Sequence, residues 1–417
     1  MGLLITRNNP ITLNNLNNLM TLNNLMTLTN LNTRKILTKQ KQETDKKKMN
    51  ICIVAGARPN FVKVAPIVRA VEKAQQQGRD ISYTLVYAGV ANDPTLEASL
   101  FDDLQMAPPS VYLGVDCPSL NELTGRVMGE FEKYLEQHDT DVVIVVDDLA
   151  STMAAAIVTK KQGKRLAHLV AGTRSFDIKM PKEINRLVID GLSDFLFTAG
   201  EGANNIVSRE GVSLSQTYMV GNILMDSLRF NRNRLQRPEV ADRLQLADGG
   251  YIVFTLNRKA LVADTANLRQ MLKAIVNTTQ GCPVVAPLRG LARSTVEQLL
   301  TTLNADTDHF HLIEPLSYLQ FGYLTAHAKG IVTDSGNVAE EATFNGVPCI
   351  TLNSYTEHIE TVRQGTNVLV GEDAERLRDT LADMVAGQWK KHSLPERWDG
   401  RSAERIVQIL IDEVGRE

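Results

Sequence analysis

The chain has 417 residues, 43% hydrophobic and 22% charged, with a net charge of −3. This is the balance of a soluble globular protein of two or three domains at roughly 100–200 residues each. That charge excludes a broad basic field for nucleic acid, and 5% aromatic content argues against base-stacking surfaces. No apolar run reaches the ~18 residues of a membrane span. Cysteines 52, 117, 282 and 349 form no CxxC pair, which argues against a zinc or disulfide framework and fits a reduced, cytoplasmic setting.

Residues 1–48 differ from the rest. Asn, Leu, Thr and Met recur in a loose repeat that ends in Lys46-Lys47-Lys48, the composition of a low-complexity, disordered leader. Met49 directly precedes the first convincing strand and reads as an alternative start. The competing reading is an interaction arm with a weak amphipathic helix. From residue 50 onward, short β-branched runs alternate with helical stretches. Strands are predicted at 51–54, 81–87, 142–146, 166–170 and 195–197. Helices are predicted at 61–74, 120–136, 151–161, 182–190 and 203–210. After a polar, basic stretch that places a boundary near 222–240, the alternation restarts with strands at 251–255, 284–286, 310–313, 330–332 and 349–351. Strand–helix alternation of this kind implies parallel sheets covered on both faces. The expected fold is therefore α/β, two doubly wound Rossmann-like lobes whose ligand lies outside the carboxyl ends of the strands.

Four loops at those ends could carry chemistry. Gly56-Ala-Arg58-Pro59 offers a guanidinium beside a helix start, where an anion is favoured; a plain surface Arg explains it equally. Asp147-Asp148 ends a buried strand, and strand alternation lets only one carboxylate face the cleft easily. Asp148 could act there or cap the next helix. His168 to Asp177 is a glycine turn and a polar loop. It leads to a helix with Pro181 at its start and Glu183 and Arg186 three apart on one face. Thr333-Asp-Ser335-Gly336 opens a helix whose N-terminus could cradle phosphate, with Glu341 beyond it able to take both hydroxyls of a ribose. The plainer reading is an ordinary turn with Ser335 as N-cap.

Read together, these loops resemble the non-hydrolysing UDP-N-acetylglucosamine 2-epimerases, from about Asn50 to Leu410. The stretches that carry the likeness include Gly56-Ala-Arg-Pro with Lys63, Phe176-Asp177 with Pro181 and Glu183-Ile-Asn-Arg186, Val220-Gly-Asn222 with Asp226, Thr333-Asp-Ser-Gly336 with Glu340-Glu-Ala342, and Gly346-Val-Pro-Cys349. The resemblance implies a glycosyltransferase-B type fold, with an N-terminal lobe at 49–225, a UDP-binding lobe at 226–395 and a C-terminal segment at 396–417 whose helix packs back on the first lobe. It also implies a UDP or UDP-sugar ligand, a homodimer, and no cofactor or metal.

In that family a base removes the proton at C2 of the sugar, UDP leaves from C1, and both steps reverse on the other face. Such chemistry needs tuned acid/base groups and donors for the departing diphosphate. The carry-over here is selective. Asp148 keeps the carboxylate of the family's Gly-Asp, with Asp147 in the place of the glycine. The glutamate of His-Val-Glu-Ala-Gly is Val170, the first glutamate of Pro-Glu-Glu is Lys182, and the histidine of Gly-His-Arg is Asn257. Arg58, Ser335, Gly336 and Glu341 match UDP-contacting positions, and Asn337 replaces a glycine of Ser-Gly-Gly. The family's Thr-Glu-Arg-Pro reads Thr356-Glu-His358-Ile. The expectation is a UDP-sugar-binding relative with epimerase activity weak or lost. The alternatives are an isomerase with a rearranged site or another UDP-sugar, and a glycosyltransferase- or hydrolase-like enzyme on the same scaffold.

Overall fold

The computed structural model describes residues 48–96 and 98–415. The predicted leader, apart from Lys48, lies outside them. Residues Met49–Glu417 form one compact unit.

The first lobe holds seven parallel strands: β1 (Met49–Ala55), β2 (Ile81–Tyr87), β3 (Val111–Tyr112), β4 (Val142–Val146), β5 (Arg165–Ala171), β6 (Phe195–Thr198) and β7 (Thr217–Met219). They run in the order β3-β2-β1-β4-β5-β6-β7. All five residues of β4 are buried, because helices cover both faces of a parallel sheet and leave no position for alternating polar residues. The second lobe holds β8 (Ile252–Phe254), β9 (Val284–Pro287), β10 (Phe310–Ile313), β11 (Gly330–Thr333), β12 (Cys349–Thr351) and β13 (Asn367–Leu369). Their order is β10-β9-β8-β11-β12-β13. In each sheet the order reverses once, between β1 and β4 and between β8 and β11, and such switch points open a crevice at the strand ends. The two-lobed Rossmann-like architecture expected from the alternation is what the chain adopts.

Three strands were not foreseen. β3, β7 and β13 have two or three residues each at the sheet edges, too short to show a period. Among the described residues no helix is long and apolar enough to cross a membrane.

The C-terminal helix Ser402–Val414 lies against the first lobe. Ala403, Ile406, Val407 and Leu410 join the core formed by β1, β4 and the helix Arg58–Gln76. Burying aliphatic side chains of this size contributes about 1.5–3 kcal/mol each. Its start is held by Asp226, whose carboxylate accepts from the amides of Ser402 (3.0 Å) and Ala403 (2.8 Å). Gly221 makes the approach possible. Its φ is +96°, and a Cβ there would lie 2.0 Å from the Arg397 carbonyl.

Candidate functional site

The helix after β1, the tips of β4 and β5, the turn after β11 and the loop 353–358 enclose a cavity of about 280 Å³ between the two sheets. Lys63, Asp147, Asp148, Val170 and Arg186 line it from the first lobe. Ser335, Gly336, Asn337, Glu340, Glu357 and His358 line it from the second.

Asp147 and Val170 sit side by side where β4 and β5 end, with the Asp147 amide 3.3 Å from the Leu169 carbonyl. Both have left-handed backbones, φ +58° at Asp147 and +73° at Val170. This is uncommon for Asp and a genuine outlier for a β-branched residue, and strain of this kind gathers at ligand sites. It also overturns the expectation that only one of the paired aspartates faces the cleft. The kink at Asp147 breaks strand alternation, and both carboxylates line the cavity.

Each carboxylate has its own partners. Asp147 Oδ1 accepts from Lys63 Nζ at 2.5 Å and Oδ2 from Asn60 Nδ2 at 2.8 Å. Burial alone would lower the Lys63 pKa, but the charges of Asp147 and Glu340 outweigh it and raise it. Asp148 Oδ2 accepts from Arg186 Nε (2.9 Å) and Nη2 (2.6 Å), and Lys182 Nζ lies 3.3 Å from Oδ1. Burial would raise the Asp148 pKa; Lys182 and Arg186 hold it below the ordinary range. Asp148 is therefore not a helix cap. The next helix, Ala150–Lys161, begins after Leu149, whose amide donates to Thr152 Oγ1 at 3.0 Å. Arg186 also donates to Glu357 of the second lobe. Behind this layer His168 Nδ1 lies 2.5 Å from Asp190, and its Nε2 lies 3.0 Å from the Asp147 carbonyl, bracing the kink.

On the second lobe, Ser335 is the N-cap of the helix Gly336–Asn345, as the plain reading expected, with its hydroxyl 3.5 Å from the Val338 amide. Gly336 and Asn337 remain exposed to the cavity. Glu340 accepts from His358 Nε2 (2.8 Å) and Asn222 Nδ2 (3.2 Å). Burial would raise its pKa, yet His358 pulls it down. The neighbouring Glu341 has no such partner among the described residues, and burial together with the Glu340 charge pushes it up to about 8. Asn353 Oδ1, also at the cavity, is a buried acceptor without a hydrogen bond among the described residues.

Of the residues expected at the site, Asp148, Val170, Ser335, Gly336 and Asn337 meet in this cavity. Lys182 does not line it; its side chain is 57% exposed and meets the cavity only through Asp148. Arg58, at the start of its helix, and the buried Glu341 do not line it. Nor does Asn257, an exposed residue whose amide donates to Asp334 Oδ2 at 2.7 Å. Lys63, Asp147, Glu340, Glu357 and His358 were not singled out as site residues. Lys63 lay in a quoted motif, and the changed residue at 358 was a signal for the last of them.

Two facing Rossmann-like lobes with a polar cavity at their switch points define a protein of the glycosyltransferase-B architecture. The profile of the UDP-N-acetylglucosamine 2-epimerase family matches residues 73–411, and the chain belongs to that family. It is 32% identical, over 87% of its length and 99% of the other, to a UDP-N-acetylglucosamine 2-epimerase homolog of Methanococcus maripaludis. It is 33% identical, over 87% and 99%, to the UDP-2,3-diacetamido-2,3-dideoxy-D-glucuronate 2-epimerase of Pseudomonas aeruginosa. The crystal structure of the Methanocaldococcus jannaschii UDP-GlcNAc 2-epimerase in complex with UDP-GlcNAc and UDP superposes with a TM-score of 0.74 at 32% identity, covering 87% of this chain and all of that one.

Proposed function

We propose that this chain binds a UDP-sugar in the cavity between its lobes and that epimerisation there is weak or lost. The observation that carries the reading is one of composition. The cavity keeps an accessible helix start at Ser335–Asn337, suited to a diphosphate, while Val170, an apolar side chain, stands where the family's catalytic glutamate is expected. Lys182 neutralises Asp148 in place of adding a second carboxylate, and Asn257 lies outside the cavity. Each general acid or base contributes about 10²–10⁴-fold, so the absence of two or three leaves little, even though such losses do not simply add. The relatives' ligands support the UDP-sugar half of the reading; Arg58 and Glu341, which do not line the cavity, stand as nucleotide contacts on the resemblance alone. The homodimer rests on resemblance alone.

Calorimetric titration of UDP, and conversion of UDP-N-acetylglucosamine followed by NMR, test the two halves. Saturable binding, weakened about tenfold or more by Ser335→Ala through loss of a charge-assisted hydrogen bond, is expected beside slow conversion. No binding would remove the first half. Turnover at an ordinary enzyme rate, about 1 s⁻¹ or above, would remove the second. One observation favours a second reading, a different UDP-sugar: the exposed ammonium of Lys182 beside Asp148 would pair with a sugar carboxylate, and the Pseudomonas relative is named for a glucuronate derivative. Tighter binding of a UDP-uronate than of UDP-N-acetylglucosamine, lost in Lys182→Ala, would establish it.

A further inference from the structure

The cleft has a carboxylate that the family comparison does not supply. Asp147 occupies the place of the family's glycine and sits at the tip of β4, beside Val170 at the tip of β5. Its left-handed backbone turns the side chain into the cavity. Asp148 is the poorer proton acceptor, since Arg186 grips one of its oxygens twice and Lys182 approaches the other. Asp147 makes one hydrogen bond on each oxygen. Each oxygen can accept a second, so it retains capacity toward the cavity. Its partner Lys63 lines the same cavity as the Ser335–Gly336 turn.

Resting on the UDP-sugar reading, we propose that Asp147 is the proton-transfer group of this cleft and that it replaces the carboxylate lost at Val170. The Asp147 carboxylate takes the hydrogen on C2 of the sugar as a proton. The C–H electron pair becomes the C1–C2 double bond, and the C1–O bond breaks with its pair going to UDP. The reverse steps return a proton to C2 and UDP to C1, so no oxidant, reductant or co-reactant is needed. The diphosphate itself prepares the group. Lys63 is drawn toward the phosphates, which frees the Asp147 oxygen it holds to take the proton.

The test is deuterium incorporation at C2 of UDP-N-acetylglucosamine incubated with the full chain in D₂O, read by NMR, with UDP affinity measured in parallel. Wild type should exchange slowly but measurably. Asp147→Asn should lower exchange by at least about 10²-fold while UDP affinity stays within about threefold. Asp147→Gly, a residue at ease at this φ, should do the same and guards against a folding defect. Two results would overturn the proposal and leave the UDP-binding reading standing: no exchange in wild type, or exchange in both variants within threefold of wild type. Absence of UDP binding in wild type would overturn the reading beneath it.

Discussion

Glu340 and Glu341 are consecutive in one helix, both buried, and their surroundings push them in opposite directions. Glu340 is held charged by His358, Lys63 and Asn222. Glu341 is raised from 4.5 to about 8 by burial and by its neighbour's charge. The unfolded chain releases the Glu341 proton near 4.5, whereas the folded chain keeps it until about pH 8. Between those values the folded state binds more protons, so stability falls as pH rises. Glu341→Gln should remove this slope. It should match wild type near pH 4.5 and exceed it at pH 8 by on the order of a few kcal/mol. Urea unfolding across that range measures the difference, and a variant that keeps the wild-type slope would show that the group is already paired. A ribose diol donating to the ionised carboxylate would supply the missing partner. The same scale explains what could be read of the site beforehand. Asp148, Val170 and the Ser335 turn were legible because each ends a strand. Glu340 showed only as part of a motif and His358 only as a changed residue, because their partners lie across the cavity or far along the chain. Asp147 was misjudged because the alternation rule holds only for an extended backbone, and nothing in an Asp-Asp pair announces a φ of +58°.

Among the elements, the buried strands were the readable part, since β-branched runs such as 142–146 permit little else. The edge strands β3, β7 and β13 depend on the neighbour they pair with, and their sequences carry no signal of it. The start of the C-terminal helix is held by a single side chain. Asp226 accepts from two of its first amides, donors that a helix start otherwise leaves unpaired in this dry setting. Asp226→Ala should cost about 1–3 kcal/mol. The loss should be local: amide hydrogen exchange over Ser402–Val414 should speed up well before that of β1 or β4, because Ile406, Val407 and Leu410 still anchor the middle of the helix. If the helix exchanges at the wild-type rate in this variant, its apolar face alone docks it and the cap is dispensable.

Across the whole molecule, polar contacts tie the two lobes both at the cleft and away from it, where Ser227 donates to the Val62 carbonyl and Arg234 to that of Asp103. Arg186 reaches Glu357, Glu360 Oε1 accepts from the Gly202 amide at 2.9 Å, and Asn222 bridges to Glu340. Trp398, fully buried, donates to the Ala199 carbonyl at 3.0 Å. Gly200 and Gly202 give the Glu360 carboxylate its space, since a Cβ at either would lie 2.7–2.8 Å from it. Arg186 bridges the cleft. It holds Asp148 in the first lobe and Glu357 in the second, so opening the cleft would free part of its grip. Removing two of the acidic ties, Glu357 and Glu360, leaves each lobe's core intact, because the cores under the two sheets consist of separate residues. Glu357→Gln with Glu360→Gln should therefore change the unfolding midpoint by only a few degrees, in keeping with contacts worth about 1 kcal/mol each when partly exposed. The same variant should show a larger radius of gyration by solution X-ray scattering and bind UDP about tenfold more weakly, because the ligand must then close the cleft itself. Saturating UDP should bring the scattering back to the wild-type curve. Identical scattering from ligand-free wild type and variant would mean that apolar packing, and not these carboxylates, sets the closure.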